Sequence, residues 1–258
     1  MLQNNLIFMK IHCQTYGKGT KKLICIHGFG QDSRIFRIWD DQTDYQILAI
    51  DLFFHGKSTW ESEKEFLEFS EWKHIFQEFL TENQIDRFSM AGFSMGGKVS
   101  LVTLSLFADK INELFLFAPD GVTINFWYKL ATKYAFSKFL FELMLGKFYP
   151  FLNQIGLFFK KIKVLNAIQW RLYQTQTNSA EKRVRLVKSW LLYRDFDANF
   201  EEVNILVEKF KIKTAIFVGK NDHLIPPKAV EKLAKIIPSA KYIIFEGGHH
   251  IKTNLKEV

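Results

Sequence analysis

The stretch Phe88-Ser-Met-Ala-Gly92-Phe93-Ser94-Met95-Gly96-Gly97 decides how the rest of the chain is read. It continues an apolar run of strand length, residues 87–93, into a helical pattern over 97–108. A serine on so sharp a junction sits in strained backbone geometry, and the positions two before and two after it have to be nearly bare. Gly92 and Gly96 meet that demand, so the segment reads as a G-x-S-x-G turn that exposes Ser94. The following helix aims its amino terminus at the serine. Its first backbone N–H, that of Met95, and its partial positive charge lie where an oxyanion would form.

Working outward, apolar runs of strand length recur at 6–12, 22–27, 46–51, 112–118, 213–219 and 241–246. Helical patterns separate them at 65–80 and 228–237, the second preceded by Pro226 and Pro227, which suit a helix start. Strands alternating with helices predict an α/β fold, a mostly parallel central sheet with helices on both faces. Ligands of such sheets bind beyond the carboxyl ends of the strands. The alternation breaks over 121–205, a window with 13 Lys and Arg against 6 Asp and Glu and 18 aromatic residues. A segment of that size without strand patterns predicts a helical cap inserted between two strands, leaving a core of 1–120 and 206–258. Within it, Phe126, Lys129, Leu130, Lys133, Tyr134 and Phe136, then Phe139, Phe141, Leu143 and Met144, form apolar helical faces edged by lysine.

The composition sets outer limits. With 258 residues, 48% apolar and 24% charged, the chain has ample material for a core, which excludes disordered, collagen-like and small disulfide-scaffold classes. Cys13 and Cys25 are too few for a disulfide framework, and Cys25, inside an apolar run, reads as a buried small hydrophobe. The start of the chain lacks a basic segment followed by a long apolar one, and the apolar stretch 148–159 is too short to span a bilayer. A cytoplasmic protein without a transmembrane helix is expected. The net charge of +8 and the aromatic, basic cap suggest either a greasy small-molecule pocket or weak peripheral contact with a membrane surface. No recognised nucleic-acid module is present, so no nucleic-acid partner is expected.

A serine hydroxyl needs a base to remove its proton, and the base needs an acid to hold its tautomer. Downstream, Ile216-Phe-Val-Gly219-Lys-Asn-Asp222-His223 puts a carboxylate at a strand end, and Ile243-Ile-Phe-Glu-Gly247-Gly248-His249-His250 puts imidazoles at the next. Asp120, just past the run 112–118, is an alternative acid, and His250 competes with His249. Asp222, His223, His249 and His250 lack zinc-ligand spacing, so no metal is expected. Gly92 to Lys98 also fits the phosphate-loop pattern G-x-x-x-x-G-K, but Val99 follows where magnesium needs a hydroxyl. A second oxyanion donor belongs in the glycine-rich turn His27-Gly28-Phe29-Gly30, where Phe29 N–H is the candidate.

Taken in order, His27-Gly-Phe-Gly, Asp51-Leu-Phe-Phe-His55-Gly-Lys-Ser58, Gly92-Phe-Ser-Met-Gly96, Gly219-Lys-Asn-Asp222 and Gly247-Gly-His249 resemble the α/β-hydrolase superfamily, specifically its cap-bearing serine hydrolases. The resemblance implies Ser94 as nucleophile, Asp222 as acid, His249 as base directly after the glycine pair, and Phe29 and Met95 as oxyanion donors. His27 and His55 match positions that support loops. It also implies hydrolysis of an ester or related acyl bond with no cofactor. Carbon–carbon bond hydrolysis or lyase chemistry by the same three side chains, and a non-catalytic ligand-binding protein, are the rival readings.

Overall fold

The computed structural model describes residues 9–41, 44–62, 64–122, 132, 134–165 and 167–251. Its strands are β1 (Met9–Lys10), β2 (Cys13–Tyr16), β3 (Lys21–Ile26), β4 (Tyr45–Ile50), β5 (Thr59–Trp60), β6 (Phe88–Phe93), β7 (Ile111–Phe117), β8 (Lys213–Gly219) and β9 (Lys241–Phe245). Seven of them form one sheet in the order β2-β4-β3-β6-β7-β8-β9. All its pairings are parallel except that of β2 with β4, so the central sheet is mostly parallel, as the sequence predicts. β6 is buried at every position. Its apolar run shows no alternation because a parallel strand in mid-sheet has helices on both sides.

The chain adds β4 on one side of β3 and then β6 on the other. The loops after β3 and β6 therefore leave from a point where the strand order reverses, which opens a crevice at the carboxyl edge. Beneath it the core is aromatic. Phe117 stacks on Phe217 with ring centroids 4.6 Å apart, and Trp39 packs on Phe117 at 5.5 Å. Trp39 ends a 3-10 turn, Ser33–Trp39, capped by Asp32.

Helix α1 (Phe69–Glu82) starts four residues later than its periodicity predicts. Glu68 and Glu71 form a capping box there, satisfying orphan N–H groups that an earlier start would leave bare. α2 (Met95–Phe107) is almost wholly buried, and its polar residues are accounted for locally. Ser100 and Thr103 hydroxyls donate to the Gly96 and Val99 carbonyls, and Thr103 Oγ1 accepts from Trp72 Nε1.

The first strand differs from expectation. Residues 6–8 lie outside the described residues; of 9–12 only Met9 and Lys10 are strand, pairing with β5 in a separate two-stranded ladder, and the strand that joins the main sheet is the polar β2, just past the predicted run. An antiparallel edge strand needs few apolar residues, so CQTY carries little strand signal.

The chain divides into two compact units. The larger takes the described residues within Met1–Glu63, Leu67–Thr123 and Phe196–Val258, the smaller those within Lys64–Phe66 and Ile124–Asp195. Among the described residues, the larger unit holds every strand together with α7 (Phe200–Phe210) and α8 (Pro227–Ile236). The smaller holds α3 (Ala135–Leu145), α4 (Tyr149–Lys161), α5 (Ala167–Thr177) and α6 (Ala180–Leu192). Phe126, Lys129, Leu130 and Lys133 lie outside the described residues, but Phe141 stacks on Trp190 at 5.4 Å. Arg183 fastens this unit: it donates to the carbonyls of Leu145 and Thr177 and lies 4.1 Å over the Tyr149 ring. One guanidinium thus satisfies carbonyls at the carboxyl ends of two helices.

Candidate active site

Ser94 joins β6 to α2 at φ 51 and ψ −117, a conformation in which a side chain is strained. The surroundings over-determine it. Ser94 N–H donates to the Phe117 carbonyl at 2.9 Å, while its own carbonyl accepts from Gly97 and Asp120 N–H at 2.8 and 2.9 Å. The glycines flanking it leave no space for a side chain. A Cβ on Gly92 would collide with Ser100 Oγ, and one on Gly96 with the Ile26 carbonyl. Met95 is the first residue of α2, so its N–H is one of the helix's orphan donors.

Two loops away, the ends of β8 and β9 interlock. Lys220 and Asn221 N–H donate to the carbonyls of Phe245 and Gly247, and Gly219 lies so close to Gly248 that a Cβ would strike its carbonyl. This brings His249 Nδ1 within 2.7 Å of Asp222 Oδ2. The other carboxylate oxygen accepts from Leu224 and Ile225 N–H, both at 2.9 Å, and the Asp222 side chain is fully buried. A carboxylate so held keeps an Nδ1–H facing it, which leaves the lone pair on Nε2. The His249 ring lies against Phe93, the residue before Ser94, with centroids 4.9 Å apart. Phe93 also touches the loop after β3, since a Cβ on Gly28 would stand 3.0 Å from its ring. The loops carrying Gly28, Ser94 and His249 thus meet around one phenylalanine. Among the described residues, neither Ser94 Oγ nor His249 Nε2 makes a hydrogen bond to protein.

The loop carrying Phe29 is fixed by two buried histidines. His27 Nε2 accepts from Leu52 N–H at 3.0 Å and its Nδ1–H donates to the Gly28 carbonyl. His55 Nε2 accepts from Gly30 N–H at 3.0 Å and its Nδ1–H donates to the Phe53 carbonyl. Both rings act as neutral crosslinks between the loops after β3 and β4, and Phe29 rests edge-on against His55.

Beside them, Asp51 organises a cluster that sequence reading missed. Its Oδ1 accepts from Ser33 N–H at 2.7 Å, and its Oδ2 from Lys57 N–H and His12 Nδ1–H. His12 precedes the edge strand in no motif, so only the pairing of β2 with β4 reveals its role. Burial pushes the Asp51 carboxyl up, but the Ser33, Lys57 and His12 donors outweigh it and hold it below the ordinary carboxylate range. Asp51→Asn puts an amide N–H against Lys57 N–H and is expected to cost about 1–3 kcal/mol at neutral pH. A depressed folded pKa contributes stability above the unfolded value that is lost as pH falls, so the variant's deficit should shrink below about pH 4. Urea unfolding across pH measures this.

The remaining candidates lie elsewhere. His250 turns its Nδ1 to the Ile251 carbonyl and its ring to Phe245, and His223 is exposed. The Asp120 carboxylate accepts from Gly121 N–H, and Lys98, of the phosphate-loop pattern, is buried and paired with Asp197 at 3.0 Å. Among the described residues no three His, Cys, Asp or Glu side chains gather as a metal cluster. Burial pushes the Cys25 thiol well up and, with the nearby Asp51 charge, raises Cys13 to about 12, so neither supplies a thiolate.

Residues 21–252 match the family model described as alpha/beta hydrolase fold. The chain is 22% identical over 233 residues to Lipase 3 of Moraxella sp. (strain TA144), covering 89% of this chain and 71% of that one. Among solved structures it resembles a thermophilic esterase from Thermogutta terrifontis, with TM-score 0.66 and 16% identity over 93% of this chain and 86% of the other. It also resembles the meta-cleavage product hydrolase from Pseudomonas fluorescens IP01, with TM-score 0.61 and 17% identity over 93% and 88%. The parallel sheet, the strained serine after its central strand and the family match over most of the sequence lead to one assignment: the chain belongs to the alpha/beta hydrolase fold family.

Proposed function

We propose that the protein is a serine hydrolase that cleaves an ester or related acyl bond of an apolar or aromatic small molecule. One observation carries the reading: a strained, half-buried serine and an imidazole paired with a buried carboxylate meet around Phe93 at the carboxyl edge of the sheet. His249 Nε2 takes the Ser94 proton while Asp222 steadies the resulting imidazolium. Ser94 Oγ adds to the carbonyl carbon, and the oxyanion is held by Phe29 and Met95 N–H. Collapse expels the alcohol, which receives the proton from His249, and leaves an acyl-serine. Water, deprotonated by the same imidazole, adds to that ester and releases the acid. The Ser94–His249 hydrogen bond forms with substrate in place, since catalytic contacts often tighten only in the complex. The half-buried Phe29 ring, in the loop proposed to hold the oxyanion, supports an apolar substrate, and the two unpaired thiols, Cys13 and Cys25, fit a cytoplasmic setting.

The test is a fluorophosphonate probe read by intact mass. Folded protein should take one adduct, mapped to the peptide containing Ser94, and heat-unfolded protein none. An unlabelled folded protein means the ligand-binding reading is right. Short p-nitrophenyl esters should be turned over, with activity lost on acidification because the base has to be neutral. Labelling without ester turnover, together with cleavage of a carbon–carbon bond beside a carbonyl, identifies the second reading.

A further inference from the structure

The smaller unit carries an exposed apolar surface on α4. No described residue of α4 is buried. Phe151 and Phe158 are 60% and 58% exposed, and Leu157, Ile162 and Val164 in and after the helix are exposed as well. At about 100° per residue, Phe151, Phe158 and Ile162 fall on one stripe. The opposite side is occupied: Gly156, about 140° around the helix from Phe151, lies against the buried Trp170 of α5, where a Cβ would stand 2.6 Å from the indole. α4 is therefore seated on α5 through its glycine and shows its phenylalanines outward.

The sequence on either side of this stripe carries charge of one sign. From Leu143 to Ala180 the sequence contains Lys147, Lys160, Lys161, Lys163 and Arg171 and no aspartate or glutamate. All five cations are exposed, and among the described residues none of them forms an ion pair. An exposed aromatic stripe beside lysines outside any ion pair is the pattern of a helix that lies in a membrane interface, rings among the acyl chains and ammonium groups at the headgroups. α4 is too short to cross a bilayer, and no described helix is long and apolar enough to do so.

We propose that α4 is a peripheral docking helix for a bilayer bearing anionic headgroups. Charge complementarity selects this occupant. A second copy of the chain would bring five cations against five, which like-charge repulsion opposes. Each lysine near an anionic surface favours binding, as does each ring removed from water. The proposal stands apart from the hydrolase reading, because it concerns no residue at Ser94.

The experiment is co-sedimentation of the full chain with vesicles of phosphatidylcholine alone and of phosphatidylcholine mixed with phosphatidylglycerol. The protein should bind the mixed vesicles, more weakly as salt rises, and the neutral ones poorly. F151E/F158E should weaken binding by about tenfold or more, and K161E/K163E, which spares Lys160 because its ammonium lies 5.7 Å over the Trp170 ring, should erase the preference for phosphatidylglycerol. These side chains face solvent, so both variants should melt like the parent, and Ser94→Ala should bind as the parent does. Equal binding to both vesicles, or variants that bind like the parent, overturns the proposal. So does a dimer on size exclusion that F151E/F158E disperses without any vesicle binding, which assigns the stripe to self-association. Changed turnover of a soluble ester in F151E/F158E with vesicle binding intact assigns it to the substrate pocket and overturns it too.

Discussion

Replacing Ser94 with alanine is expected to reduce p-nitrophenyl ester turnover by about 10⁴-fold or more. The substitution removes one oxygen and leaves a side chain the strained site already tolerates at Cβ. The Phe117, Gly97 and Asp120 backbone bonds that hold the turn do not involve the hydroxyl, so the fold should persist. The Ser94→Ala/His249→Ala double variant should be no worse than either single change, because a base without a nucleophile to activate contributes nothing. Steady-state kinetics with a melting control measures both. If the serine variant kept a tenth of the parent activity, the acyl-serine route would be wrong, whatever the fate of the vesicle experiment.

Asp222→Asn is expected to lower kcat by about 10³–10⁴-fold with little change in KM. The asparagine carbonyl keeps the Leu224 and Ile225 N–H bonds, so the loop should hold its shape. Its amide N–H₂ then faces His249 Nδ1, which has to accept rather than donate, and the ring proton moves to Nε2. The imidazole remains in place against Phe93 with its lone pair turned away from Ser94. A merely structural role for Asp222 predicts the opposite split: loss of stability with kcat preserved in whatever fraction stays folded. Urea unfolding beside the kinetics separates the two.

The parts of the fold that were legible share a cause. The runs at 46–51, 87–93 and 213–219 lie in buried parallel strands, where burial on both faces selects continuous apolar sequence. β2 was not legible, because an edge strand answers to one neighbour only and tolerates a polar sequence. The start of α1 was misplaced, because apolar periodicity continues past the residue whose side chain ends the helix. In the site, the glycine spacing around Ser94 was readable because a backbone collision has few solutions in sequence. The Asp51 cluster was not, since hydrogen bonds from His12, Ser33 and Lys57 to one carboxylate span separations that no local motif encodes.

By itself, then, the sequence determined which residues bend sharply, which are buried and which carry titratable chemistry, because steric limits and apolar periodicity act within a few neighbours. The choice of His249 over His250 was already implied by its place after the glycine pair, but only the tertiary structure set its ring 2.7 Å from Asp222, paired Lys98 with Asp197, and turned the phenylalanines of α4 outward from Trp170. Those outcomes depend on the direction in which a side chain leaves its loop or helix. That direction is set by packing between segments far apart in the chain, here the interlocked ends of β8 and β9 and the close seat of Gly156.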